Sequence, residues 1–114
     1  MLDLLIAADL LLTPVPTEPP DDPDFTRCLK PDGGVQLQWS STDSGATTYL
    51  LVKRRYEGGD WRTWVKSYVK NPPFTLRMQS DLARNGDFAW VLFGVDRAGA
   101  DYKIGEWRYF CTRD

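Results

Sequence analysis

Twelve consecutive residues, Phe88 to Gly99 (FAWVLFGVDRAG), constrain this chain more than any other part of it. In an extended backbone successive side chains point to opposite faces, so Phe88, Trp90, Leu92 and Gly94 share one face and Val91, Phe93 and Val95 the other. Apolar residues on both faces mark a central strand that is covered on both sides. Asp96-Arg97-Ala98-Gly99 then breaks the alternation, as a turn does.

The rest of the chain supplies neighbours for that strand. Phe25 to Lys30 reads as a short first strand and Pro31-Asp32-Gly33-Gly34 as a turn. Val35 to Ser40 alternates, with Val35, Leu37 and Trp39 inward. After the polar loop Ser40 to Thr48, residues 49 to 56 form a third strand. Gly58-Gly59-Asp60 turns the chain into Trp61 to Val69, which Asn71-Pro72-Pro73 ends. Phe74, Leu76 and Met78 alternate into a further strand. Ser80 to Asp87 makes the corner before the central strand, and Tyr102 to Thr112 is the last strand. The expectation is an all-β, seven-stranded antiparallel sandwich over residues 25–114. Five Trp, five Tyr and five Phe are enough aromatic volume for its core, with some left for the surface.

These residues resemble the fibronectin type III domain. Leu82, Phe88, Trp90, Leu92, Gly94, Asp96 and Gly99 keep that family's spacing around its central strand. Trp39 in VQLQWS matches the tryptophan of its second strand. Tyr49 to Arg55, followed by Gly58-Gly59-Asp60-Trp61, is similar to its third strand, turn and next tryptophan. The resemblance implies an immunoglobulin-like sandwich whose Ser40–Thr48 and Asp96–Asp101 loops share one pole and serve as binding loops. Phe88 stands where the family has a tyrosine, so the hydroxyl that ties the corner to the backbone is missing. In the family the first and last strands run in the same direction. Cys28 and Cys111 would then lie at one pole, where a disulfide and a pair of free thiols both stay open.

Residues 1–24 are a different kind of chain. They hold six acids (Asp3, Asp9, Glu18, Asp21, Asp22, Asp24) and no base, whereas residues 25–114 carry an excess of bases. The acids serve solubility, or the arm docks on a basic surface of its own or a neighbouring subunit. Residues 1–13 form an apolar arm built on Leu2, Leu4, Leu5, Ile6, Leu10, Leu11 and Leu12. It lacks the positive start of a signal peptide and is too short and too interrupted to span a membrane, so synthesis in the cytoplasm is expected. It reads as a helix or as an extended strand that adds to a sheet edge. Either way this much leucine needs a covering surface, on its own sandwich or on another subunit, unless it is a poorly ordered tail. Residues 14–24 contain five prolines and read as an extended spacer that cannot pair as a strand.

Chemistry has little to work with. Without histidine the usual general base, metal ligand and pH switch are all missing. The two cysteines are not at a zinc spacing, and the paired glycines are turns rather than phosphate loops. No cofactor, metal or catalytic residue is expected. The surface signal is basic and aromatic: Arg54, Tyr56, Arg62, Trp64, Lys66, Tyr68 and Trp107 form the candidate binding surface. A solvated face, a protein interface and a glycan platform all fit those residue types. The positive balance is too small for nucleic acid.

The expected function is therefore a non-enzymatic structural or assembly subunit whose arm docks on neighbouring subunits or a larger particle. By analogy with lone domains of this kind, that points to a virion decoration or bacteriophage tail-accessory protein. The alternative is a recognition module that binds a glycan or protein through its loops and exposed aromatics.

Overall fold

A computed structural model describes residues 15–40, 47–69, 72–77 and 84–114. Among them are seven strands: β1 (Pro16–Glu18), β2 (Val35–Trp39), β3 (Thr47–Arg55), β4 (Trp61–Val69), β5 (Phe74–Leu76), β6 (Asp87–Val95) and β7 (Asp101–Cys111). They form two antiparallel sheets, β1-β2-β5 and β4-β3-β6-β7. The fold is an immunoglobulin-like, all-β sandwich. The arm (Leu2, Leu4, Leu5, Ile6, Leu10, Leu11, Leu12), most of the Ser40–Thr48 loop, Met78 and Leu82 lie outside the described residues.

Alternation builds the core. On β6, Phe88, Trp90 and Leu92 are fully buried between the sheets. Val35, Leu37 and Trp39 face them from β2, and Leu50 and Val52 join from β3. Trp39 and Trp90 meet across the sandwich at 6.2 Å between ring centroids, and Phe88 stacks on Phe110 at 5.1 Å. Each such side chain contributes about 1.5 to 3 kcal/mol by leaving water. The outer face of β6 is covered as well: Ala89 and Val91 are buried, and Phe93 and Val95 half-buried. With β3 on one side and β7 on the other, β6 is the central strand that its pattern requires.

The segment before β2 departs from expectation. From Val15 onward, the residues expected to be an unpaired spacer belong to the fold. Pro16 pairs with Trp39 and Glu18 with Gln38. Proline is tolerated there because β1 is an edge strand, where a missing N–H need not face a partner. The Ser40 N–H donates to Val15 O, and the Val15 N–H to Ser40 Oγ, each at 2.9 Å. Past the cis Glu18–Pro19 bond the chain crosses to the other sheet. There the Asp22 N–H donates to Tyr109 O at 2.9 Å, the Tyr109 N–H to Asp21 Oδ1 at 2.8 Å, and Arg108 Nη2 to Pro19 O at 2.8 Å.

The expected first strand, Phe25 to Lys30, is a turn followed by a single parallel bridge, Leu29 to Thr112. Asp22 is the reason. Its carbonyl accepts the Phe25 N–H at 3.0 Å, and its carboxylate accepts the N–H groups of Thr26 and Arg27 at 3.2 and 2.9 Å. Those donors would otherwise serve a ladder. The Arg27 amide first, and Thr26 with it, holds the Asp22 carboxyl below the usual carboxylate range. Phe25 takes a left-handed backbone (φ 55°), which a bulky residue in a regular strand does not adopt. The turn leads Cys28 to Cys111, and the two are disulfide-bonded with Cα atoms 4.6 Å apart. Residues 15–29 thus form a strap that lines the edge of β2 and then the edge of β7.

The corner before β6 is held without a tyrosine hydroxyl. Phe88 is buried between Phe110 and Trp64 instead. The backbone at Gly86 is tied to Thr112, and the Arg84-Asn85 turn to the Asp114 carboxylate.

Candidate functional site

Register decides which of the basic and aromatic residues stand together. Along β3, Tyr49, Leu51, Lys53 and Arg55 alternate with the core residues Leu50 and Val52, so they face outward. Their cross-strand partners follow: Lys53 lies between Thr63 and Ala89, and Ala89 beside Tyr109. Ala89 leaves a low floor on the central strand, with taller side chains on each side. Two bulges complete the arrangement. In β4 the pairing steps from Val52–Val65 to Lys53–Thr63, so Trp64 is an extra residue. In β7 it steps from Trp90–Arg108 to Leu92–Ile104, leaving Gly105, Glu106 and Trp107 opposite Val91 alone, with Gly105 at φ 75°. A bulge re-aims the side chains next to it.

The result is a cleft of about 200 Å³ on the outer face of the four-stranded sheet, lined by Lys53, Trp61, Ala89, Trp107 and Tyr109. Lys53 Nζ lies 5.3 Å from the Trp107 ring centroid. Trp61 and Tyr109 meet edge to face at 6.0 Å, and Phe25 of the strap packs on both. Arg55 lies over Phe25 and Trp61, at 4.9 and 5.7 Å, and pairs with Asp87, which also receives Arg113 at 3.0 Å. Further along the same face Tyr49 stacks on Phe93 at 5.1 Å, with Lys66 Nζ 4.6 Å from its ring and Tyr68 against its edge. The Tyr49 hydroxyl donates to Asp101 Oδ2 at 2.7 Å. Burial foremost, and that hydrogen bond next, push the Tyr49 phenol up to about 12. Among the described residues no carboxylate lies within ion-pair distance of Lys53 or Lys66.

The residues expected from the sequence divide between two faces. Lys66, Tyr68 and Trp107 stand on the outer face. Arg54, Tyr56, Arg62 and Trp64 gather on the core side, at the rim beside β4. Trp64 packs 5.4 Å from Phe88 and joins the core, and Arg54 and Arg62 both lie over the Tyr56 ring. Lys53, Trp61, Tyr109, Phe25 and Tyr49 complete the outer face but were not among the expected surface residues. A usable signal was present: Ala89 is smaller than Val91, Phe93 and Val95, which share its outward face of β6, and its neighbours form the walls.

Two larger hollows, of about 420 and 400 Å³, flank the strap, the first shared with β2 and the turn before it, the second lined almost wholly by the strap itself. Two of their acids are engaged, Asp21 by the Tyr109 amide and Asp22 by those of Thr26 and Arg27. Among the described residues no three His, Cys, Asp or Glu side chains come together as a metal site, and no helix is long and apolar enough to cross a membrane. No protein-family profile, no curated protein and no solved structure matches this chain.

Proposed function

We propose that this chain is a non-enzymatic assembly module, fibronectin type III-like in its strand plan, that holds a protein partner against the outer face of its four-stranded sheet. The observation that carries the reading is the cluster of half-buried Trp61, Trp107 and Tyr109 around Lys53, a cation with no carboxylate partner among the described residues. Trp, Tyr and Arg dominate the energetics of protein interfaces, and on this face Arg55 lies over Trp61 and Phe25. The division into β1-β2-β5 and β4-β3-β6-β7 supports the fibronectin type III likeness. The leucine-rich arm favours assembly over solitary recognition, because such a segment needs cover. A place on a larger particle, such as a virion's shell or tail, suits a module that carries an apolar arm.

A glycan would use the same aromatic walls. Ligand sites normally place several polar groups to fix orientation, however, and this cleft has one charged side chain, Lys53, and neither a carboxylate nor a side-chain amide among its lining residues.

The test is the solution mass of the full chain by light scattering, beside a Lys53→Glu/Trp107→Ala variant. The full chain is expected to self-associate and the variant to be monomeric. A full chain that stays monomeric at every concentration, or a variant that associates as well as the parent, would overturn the reading.

A further inference from the structure

We infer that the partner on this face is the N-terminal arm of a second copy of the chain; the inference rests on the assembly reading above and names its occupant. Three observations converge. The first is charge: the residues before Val15 carry Asp3 and Asp9 and no base, while the face presents Lys53 and Lys66 without carboxylate partners among the described residues. Opposite charges of this kind select a partner and set its register.

The second is apolar content. Leu2, Leu4, Leu5, Ile6, Leu10, Leu11 and Leu12 require a surface, and the face offers Leu51 beside Lys66 and Trp61, Trp107 and Tyr109 around Lys53, all half-buried.

The third is the point of departure. Val15 is fixed to Ser40 by two hydrogen bonds at the end of β2, in the three-stranded sheet. The chain's own acceptor face lies on the far side of the opposite sheet. The fourteen preceding residues span at most about 45 to 50 Å when extended, and passing around the sandwich would consume much of that length. A neighbour that presents its four-stranded sheet to the exit point receives the arm directly. Two copies can exchange arms reciprocally, which closes the assembly as a symmetric pair.

The test is a charge exchange in full-length chains. One variant carries Asp3→Lys and Asp9→Lys; the other carries Lys53→Glu and Lys66→Glu. Each alone should self-associate about tenfold more weakly than the parent, as loss of about 1.4 kcal/mol of attraction would give. Mixed in equal amounts they should recover the parent's affinity, because each arm then meets a face of opposite charge on the other chain. No recovery on mixing would overturn the inference; if, in addition, each pair of substitutions lowers the thermal stability of the chain and all four together restore it, the arm lies on its own sandwich. Arm substitutions without effect, beside face substitutions that weaken association, would overturn it too while leaving the assembly reading in place. A parent chain that never associates removes both.

Discussion

Thr112 and Gly86 exchange two hydrogen bonds at the corner before β6. The Thr112 N–H donates to Gly86 O at 2.9 Å, and the Gly86 N–H donates to Thr112 Oγ1 at 3.2 Å. Both residues are buried, so neither group has water as a substitute. The hydroxyl of Thr112 does here what a tyrosine hydroxyl would otherwise do from β6.

Thr112→Val keeps the shape of the side chain and removes the acceptor. The Gly86 N–H would then be buried and unpaired, at an expected cost of about 1 to 3 kcal/mol. Thr112→Ser keeps the acceptor and should retain most of the stability. Urea unfolding of the two variants separates the cases, and equal midpoints would show that the hydroxyl does not hold the corner.

Reduction of Cys28–Cys111 should weaken the fold substantially. The bond closes a loop with a sequence separation of 83 residues, worth about 4 to 5 kcal/mol in the chain-entropy account. The strap should loosen first, because its hydrogen bonds to β7 lie at an edge. Amide exchange under reducing conditions is expected to rise at Asp22 and Leu29 before it rises along β6. Uniform exchange across all strands would mean that strap and core open together.

Two glycines should respond differently to alanine. A Cβ on Gly94 would overlap the far end of the Tyr102 ring, which is 46% exposed and free to swing into solvent. Gly94→Ala should cost under about 1 kcal/mol, within the usual effect of a change that a surface side chain can absorb. A Cβ on Gly34 would lie 2.7 Å from the Leu76 carbonyl oxygen, a backbone atom of the paired strand β5, and Gly34 has φ +93°. Gly34→Ala should therefore cost about 1 to 3 kcal/mol from backbone strain, before any shift of β5 is counted. Thermal unfolding of both variants checks the order, and the reverse order would contradict the geometry.

Alkaline pH should destabilise the fold through Tyr49. Its phenol loses its proton near pH 10 when unfolded and near 12 when folded. Between those values the folded chain keeps a proton that the unfolded chain has released, so stability falls as pH rises. Below pH 10 the contribution is complete. Ultraviolet titration should show one tyrosine ionising late, and Tyr49→Phe should remove that phase and flatten the alkaline decline. A late phase that persists in Tyr49→Phe would assign it to another tyrosine.

How much of this was legible follows from what leaves a periodic trace. The inward set Val35, Leu37 and Trp39 and the two covered faces of β6 were readable because pairing in a sheet repeats every two residues. The strap was not. It depends on the Asp22 carboxylate capturing the amides of Thr26 and Arg27, a contact between one side chain and a turn with no period. Proline content pointed away from pairing, and only its position at an edge makes β1 acceptable. The outer face was half legible: Lys66, Tyr68 and Trp107 were expected at the surface and stand on it, whereas Lys53, Trp61 and Tyr109, which line its cleft with Trp107, were not. Trp64 parts from Lys66 and Tyr68 because a bulge adds one residue to β4 between them, and no alternation count can anticipate an insertion of that kind.

The crossing of the strap from β2 to β7 has a bearing on how copies of this domain can stick together. Along that flank the backbone donors and acceptors at Ser40, Tyr109 and Cys111 are already taken. The opposite flank, formed by β4 and β5, has no strand partner among the described residues. A fibril that grows strand upon strand needs two free flanks on every unit, one to join and one to be joined. Here the strap replaces the open edge of β2 and the Tyr109–Cys111 end of β7 with a short, proline-bearing edge, which works against stacking along that flank.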